Sequence, residues 1–204
     1  MTELSNKTKR KSIVRTALVV LIFAVIFISI FSTITIFVFL ENNLSEHGLA
    51  LALDRASRGA VCIEWTTKKV LYGEGENNKT FPASTTKILT ALVVIENLQL
   101  NQKIRIPKEA VGVEGSSLYL REGEMLTVED LLYGMMLRSG NDAAVALAIA
   151  VSGNITDFAK KMNEKAVECG AVNSNFENPH GLHHPNHYTT AYDMAILMAH
   201  ALKN

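Results

Sequence analysis

Twenty-five consecutive residues, Thr16 to Leu40, contain no charge, no proline and no glycine. As a helix the run rises about 37 Å at about 1.5 Å per residue, enough to cross a hydrocarbon layer of about 30 Å with some tilt. Hydrocarbon offers no partner to a peptide amide or carbonyl. A lone apolar segment therefore crosses as a helix, whatever its many Ile, Val and Thr residues would prefer in water. Before it, Lys7, Lys9, Arg10, Lys11 and Arg15 face Glu3 alone, a local surplus of +4. Basic residues stay on the cytoplasmic side. This predicts a cytoplasmic tail at 1–15, a single-pass signal-anchor helix at 16–40, a polar spacer at 41–57 and an extracytoplasmic remainder at 58–204. A cleaved signal is the alternative. Its apolar core usually holds only about 7–15 residues, and the small-x-small site Ala50-Leu51-Ala52 lies well beyond the run.

Hydrophobic residues make up 48% of the chain and charged ones 20%, too apolar a balance for disorder. Because the formal net charge is zero, the 189 residues after the basic tail carry −4. A binder of phosphates needs a basic face on its folded part, so no nucleic-acid partner is expected. Two cysteines, Cys62 and Cys169, are too few for a disulfide scaffold. They read as two buried free thiols, with pairing outside the cell as the alternative.

Gly59 to Trp65 and Lys69 to Gly73 read as short strands joined through Thr66-Thr67-Lys68 as a hairpin. Pro82 opens a helix to about Leu98, its missing N–H being harmless in the first turn. Lys103 to Pro107 reads as an extended connector. Thr127 begins a helix to about Leu137, with Asp130 placed for a capping box. Asn141 to Val151 is a buried, alanine-rich helix stopped by Ser152-Gly153. Thr156 to Cys169 is amphipathic and closed by Gly170, and Thr190 to Lys203 is the last helix. A two-stranded hairpin is not a stable sheet by itself, and no third strand is evident, so part of a sheet is expected to be missing.

Ser84-Thr85-Thr86-Lys87 puts a hydroxyl and an amine three residues apart at the start of an apolar helix. Residues at that spacing share a face. The helix N-terminus favours negative charge developing nearby, and a desolvated lysine can take the serine proton. Alone, Ser-x-x-Lys is a weak signal; Pro82-Ala83 before it and the apolar helix after it sharpen it. Ser139-Gly140-Asn141 presents a hydroxyl and an amide at a tight helix–helix turn. The same letters recur at Ser152-Gly153-Asn154, where a helix stop followed by a helix start is the better reading.

Together these residues carry a resemblance. PASTTKILTALVVIEN, GSSLYLREGEMLTVEDLLYGMMLRSGNDAA and NPHGLHHPNHYTTAYDMA are similar to the D-alanyl-D-alanine carboxypeptidases of the low-molecular-mass penicillin-binding proteins, over about residues 55–203. Ser-x-x-Lys and Ser-Gly-Asn match the first two motifs of that group. The resemblance implies an α+β fold of the β-lactamase/transpeptidase type. Here the fold is expected to be incomplete: an N-terminal transmembrane helix, a two-strand hairpin and a helical subdomain, with the C-terminal sheet strands missing. It further implies Ser84 as the nucleophile acylated by the D-Ala-D-Ala end of a peptidoglycan stem peptide, and Lys87 as its proton acceptor. Ser139 would pass the proton to the departing D-alanine, Asn141 would bind the substrate backbone, and the Ser84 N–H would serve an oxyanion hole. β-Lactam antibiotics would acylate the same serine, and no cofactor is implied. The third motif, Lys-Thr-Gly, does not follow Asn141, so impaired activity is expected.

His180, His183, His184 and His187 lack acidic or cysteine partners at a ligand spacing and are not read as a metal site. Met125, Met135, Met136, Met162, Met194 and Met198 read as core fillers on helices. Two alternatives to the carboxypeptidase stay open: a non-catalytic membrane protein, and a β-lactamase-like hydrolase, which Ser-Gly-Asn disfavours.

Overall fold

The computed structural model describes residues 59–203; the expected tail, transmembrane helix and spacer lie outside the described residues. Among those described, no single helix is long and apolar enough to cross a membrane. Strands β1 (Ala60–Ile63) and β2 (Val70–Glu74) form an antiparallel hairpin, with Ala60 opposite Glu74 and Cys62 opposite Tyr72. Its turn is built by the Glu64 carboxylate, which accepts from the amides of Thr66 and Thr67. Cys62 and Cys169 are both free. Cys169 is buried but Cys62 is exposed, which corrects the expectation of two buried thiols: alternate residues of a strand face opposite ways, and this one faces outward.

A second two-stranded sheet was not expected. β3 (Lys103–Arg105) pairs antiparallel with β4 (Met125–Thr127), Ile104 opposite Leu126. The segment read as a connector is therefore a strand, too short for an alternating pattern to show. Only Ile104 of its three residues is buried.

Five helices follow among the described residues: α1 (Thr86–Asn97), α2 (Val128–Arg138), α3 (Asn141–Ser152), α4 (Ile155–Cys169) and α5 (Ala191–Ala201). A 3-10 turn at Ala83–Thr85 leads into α1, so the helix proper begins four residues after Pro82. Side chains close the N-terminal amides that helices leave unpaired. Thr127 and Asp130 form the reciprocal capping box of α2, Asn154 Oδ1 accepts from Asp157 N at α4, and Thr190 Oγ1 accepts from Asp193 N at α5.

Helix α3 lies at the centre, with every residue from Asn141 to Ala148 buried. It packs on α1, α2 and α4. Its alanines let neighbouring backbones approach closely, while Leu89, Val93, Leu131, Met135, Leu147, Phe158 and Met162 fill the remaining volume. Met135 and Met162 are thus core residues. Met125 lies on a strand rather than a helix, and Met125, Met136 and Met198 are exposed, because their positions fall off the buried faces.

Candidate active site

The four residues singled out by the two motifs come together around one amine. Lys87 Nζ lies 3.2 Å from Ser84 Oγ, 3.2 Å from Ser139 Oγ, 2.7 Å from Asn141 Oδ1 and 3.0 Å from the His180 carbonyl oxygen. Ser139 Oγ lies 3.1 Å from Ser84 Oγ. Lys87 is 3% exposed, and burial pushes its amine below the ordinary lysine range.

Local backbone geometry explains why the hydroxyls converge. Ala83, just before Ser84, sits at φ +49°, and Ser139, ending α2, sits at φ +56°. A non-glycine residue in the left-handed region costs about 1–3 kcal/mol. At Ser139 the turn starts α3 two residues later and puts Asn141, 5% exposed, in its first turn. Asn141 is oriented from both ends: its Nδ2 donates to the Glu114 carbonyl at 2.6 Å and its backbone N–H to the Ser116 carbonyl at 2.7 Å. One amide hydrogen and one lone pair remain for a ligand.

The partners of Lys87 carry chemical information. The Asn141 and His180 oxygens can only accept, so two N–H bonds of the amine are directed at them. If the amine is neutral, its lone pair is left for a serine hydroxyl. Ser139 can then donate to Ser84 while Ser84 donates to Lys87, a chain that readies the Ser84 oxygen for attack.

Several residues at the site gave no warning in the sequence. His180 contributes its backbone carbonyl, which no side-chain pattern reveals. Asp142, 1% exposed, ties the loop 114–120 to α3: its carboxylate accepts from Ser117 Oγ and from the amides of Leu118, Leu120 and Ala143. Burial pushes this carboxyl up, but those hydrogen bonds outweigh it and leave the group below its usual range. The loop 178–182 is folded by Asn178, whose Oδ1 accepts from the amides of His180 and Gly181. Gly181, at φ +87°, has no room for a side chain, since a Cβ there would overlap the Ala83 carbonyl. Ser152 and Asn154, the second copy of the tripeptide, lie away from this cluster and make no hydrogen bond to it.

A family model described as D-alanyl-D-alanine carboxypeptidase matches residues 46–204. The chain belongs to the D-alanyl-D-alanine carboxypeptidase family. Among curated relatives of this family, DacF of Bacillus subtilis is 44% identical over 156 residues, 74% of this chain and 40% of that protein. DacA of Haemophilus influenzae is 35% identical over 152 residues, 71% of this chain and 39% of the relative. The crystal structure of the carboxypeptidase DacD from Francisella tularensis superposes with a TM-score of 0.71 at 34% identity, covering 74% of this chain and 38% of the other. Penicillin binding protein 5 from Haemophilus influenzae gives 0.68 at 34% identity, over 72% of this chain and 45% of the other. The described fold is therefore part of the α+β fold of penicillin-binding proteins. The chain spans about 40% of the length of the curated carboxypeptidases it matches.

Proposed function

We propose that this chain carries the nucleophile side of a serine D-Ala-D-Ala carboxypeptidase that trims peptidoglycan stem peptides. The observation that carries the reading is the buried amine of Lys87, aimed at by two carbonyl oxygens and touching both serine hydroxyls. Ser84 Oγ attacks the carbonyl of the penultimate D-alanine as Lys87 takes its proton. The negative charge on the carbonyl oxygen is met by the Ser84 N–H. When the C–N bond breaks, the proton passes through Ser139 to the leaving D-alanine, and an acyl-enzyme remains on Ser84. Water then releases the shortened peptide by the reverse proton path. The spare amide valences of Asn141 hold the substrate backbone, and β-lactams enter by the same acylation.

Binding of the substrate carboxylate is assigned to the lysine of a Lys-Thr-Gly strand, whose backbone also gives the second oxyanion donor. These 204 residues contain no Lys-Thr-Gly. Loss of one oxyanion donor costs about 10²–10³ in rate, so residues 41–204 by themselves are proposed to turn over poorly. The test measures D-alanine release from a D-Ala-D-Ala peptide by residues 41–204 and by a version extended through a Lys-Thr-Gly segment. Activities within tenfold, about 1.4 kcal/mol, would remove the role given to the third motif. Absence of D-alanine release from the extended version would remove the carboxypeptidase reading altogether.

We also propose that the apolar run anchors the protein in the membrane with residues after about 41 outside, on the strength of the +4 tail before it. A reporter active only in the cytoplasm, fused after Asn204, should be silent, and a signal would reverse the topology.

A further inference from the structure

His187 is 1% exposed and has no part in the chemistry above, yet it makes a bond at each ring nitrogen. The Glu177 N–H donates to Nδ1 at 3.2 Å, so Nδ1 is unprotonated and the ring proton sits on Nε2. That nitrogen lies 2.9 Å from Thr86 Oγ1 and donates to it. Thr86 is itself fully buried, two residues after Ser84 and next to Lys87. Phe176 meets the imidazole edge to face, with centroids 5.5 Å apart. Burial holds the ring down to about 4, with Glu177 and His184 as its charged or titratable neighbours. The imidazole is therefore neutral at pH 7, as both hydrogen bonds require.

These bonds sit under a loop that touches the amine. The same face of α1 is stitched to the loop 176–190 at three successive points. His187 reaches Thr86, the His180 carbonyl accepts from Lys87, and the Pro179 carbonyl accepts from Thr90 Oγ1 at 2.7 Å. The base of the loop is fixed by backbone pairs, Thr80 with Thr189 and Asn175 with Tyr188. Between that base and the His180 carbonyl, His187 is the buried side chain that joins the loop to α1, the helix that carries Lys87 and follows directly on the 3-10 turn holding Ser84.

We propose that His187 is a positioning residue for Lys87: by bridging Glu177 N–H to Thr86 Oγ1 it seats the loop 176–190 on α1, so that the loop keeps the amine dry and holds the His180 carbonyl against it. The geometric claim stands on the contacts alone; its catalytic consequence rests on the reading of Lys87 as the base. Leucine at 187 fills the space but removes both bonds. Glutamine offers one donor and one acceptor about as far apart as the ring nitrogens, so it is the conservative replacement.

The test titrates Lys87 in the full chain in detergent micelles, by NMR of ¹³Cε-labelled lysine, with the Lys87 signal identified by its loss in Lys87→Arg. In the wild type this lysine should titrate below the other lysines. In His187→Leu it should move up towards them by at least about half a pH unit, a change of about threefold in proton affinity, because water reaches the amine. His187→Gln should keep it near the wild-type position. If His187→Leu does not fold, Thr86→Val removes the acceptor at the other end and should give the same upward shift. An unmoved Lys87 in a folded Leu or Val variant, even with a lower melting temperature, would make His187 merely structural and overturn the proposal; so would a Gln variant that behaves like Leu. Labelling of wild-type Ser84 by a penicillin is run in parallel on the extended chain. Its failure would count against the carboxypeptidase reading and leave the titration result standing.

Discussion

The tripeptide Ser-Gly-Asn occurs at 139–141 and again at 152–154, and the two copies serve opposite ends. In the first, the left-handed residue is the serine, at φ +56°; its hydroxyl reaches Lys87, and Asn141 is buried with its amide bound from both sides. In the second, the left-handed residue is Gly153, at φ +78°, an ordinary helix ending. There Ser152 still belongs to α3, its hydroxyl buried without a partner among the described residues, and Asn154 is exposed and caps α4. What separates the copies is which residue absorbs the turn. A strained serine faces the site, whereas a relaxed glycine only reverses the chain.

The largest expected difference between the copies is catalytic. In a chain extended through Lys-Thr-Gly, Ser139→Ala should slow acylation by a fluorescent penicillin by about 10²-fold, the scale of a lost proton-transfer partner. Ser152→Ala should leave that rate unchanged and hold or raise the melting temperature, since it deletes a buried hydroxyl that has no partner. The opposite pattern would assign the chemistry to the second copy.

A smaller difference lies in stability. Asn154→Ala should cost about 1 kcal/mol, as loss of an N-cap does, measured by urea unfolding, with acylation per folded molecule unchanged. A change in acylation rate would tie the second copy to the site after all.

The smallest effect concerns acid. Asp142 follows Asn141 in the first copy, and no carboxylate occupies the matching place in the second, where Ile155 stands. Its folded pKa is depressed, so its contribution to stability is fully present above the unfolded carboxyl value of about 3.9 and is lost as pH falls through the lower folded value. Below about pH 4, the loop 114–120 should lose amide protection before α4 does, as read by hydrogen exchange. Asp142→Ala should remove that acid step; an unchanged profile would deny Asp142 its hold on the loop.

Much of this arrangement could be read from the residues alone, and the failures have physical causes. Hairpin, helices and caps announced themselves through periodicity, Gly170 and the Thr127/Asp130 pair, and Ser84, Lys87, Ser139 and Asn141 carried motif spacing. Strands β3 and β4 escaped because three residues are too few to display a period of two. The outward face of Cys62 depended on register, where a shift of one residue exchanges inside for outside. The His180 carbonyl, Thr86 and His187 escaped for another reason. Their parts are played by a backbone oxygen, and by a pair 101 residues apart that only the folded loop brings together.

The central claim is that Ser84 is the nucleophile and Lys87 its base, and the most direct measurement is the mass of the adduct. After reaction of the extended chain with a penicillin, peptide mapping should place one covalent acyl group on Ser84. The rate of its formation should rise with pH through the lowered titration of Lys87, because the amine acts as a base only once it has lost its proton. Ser84→Ala should carry no adduct at all. An acyl group on Ser139, Ser152 or any other residue, or undiminished labelling of Ser84→Ala, would contradict the account.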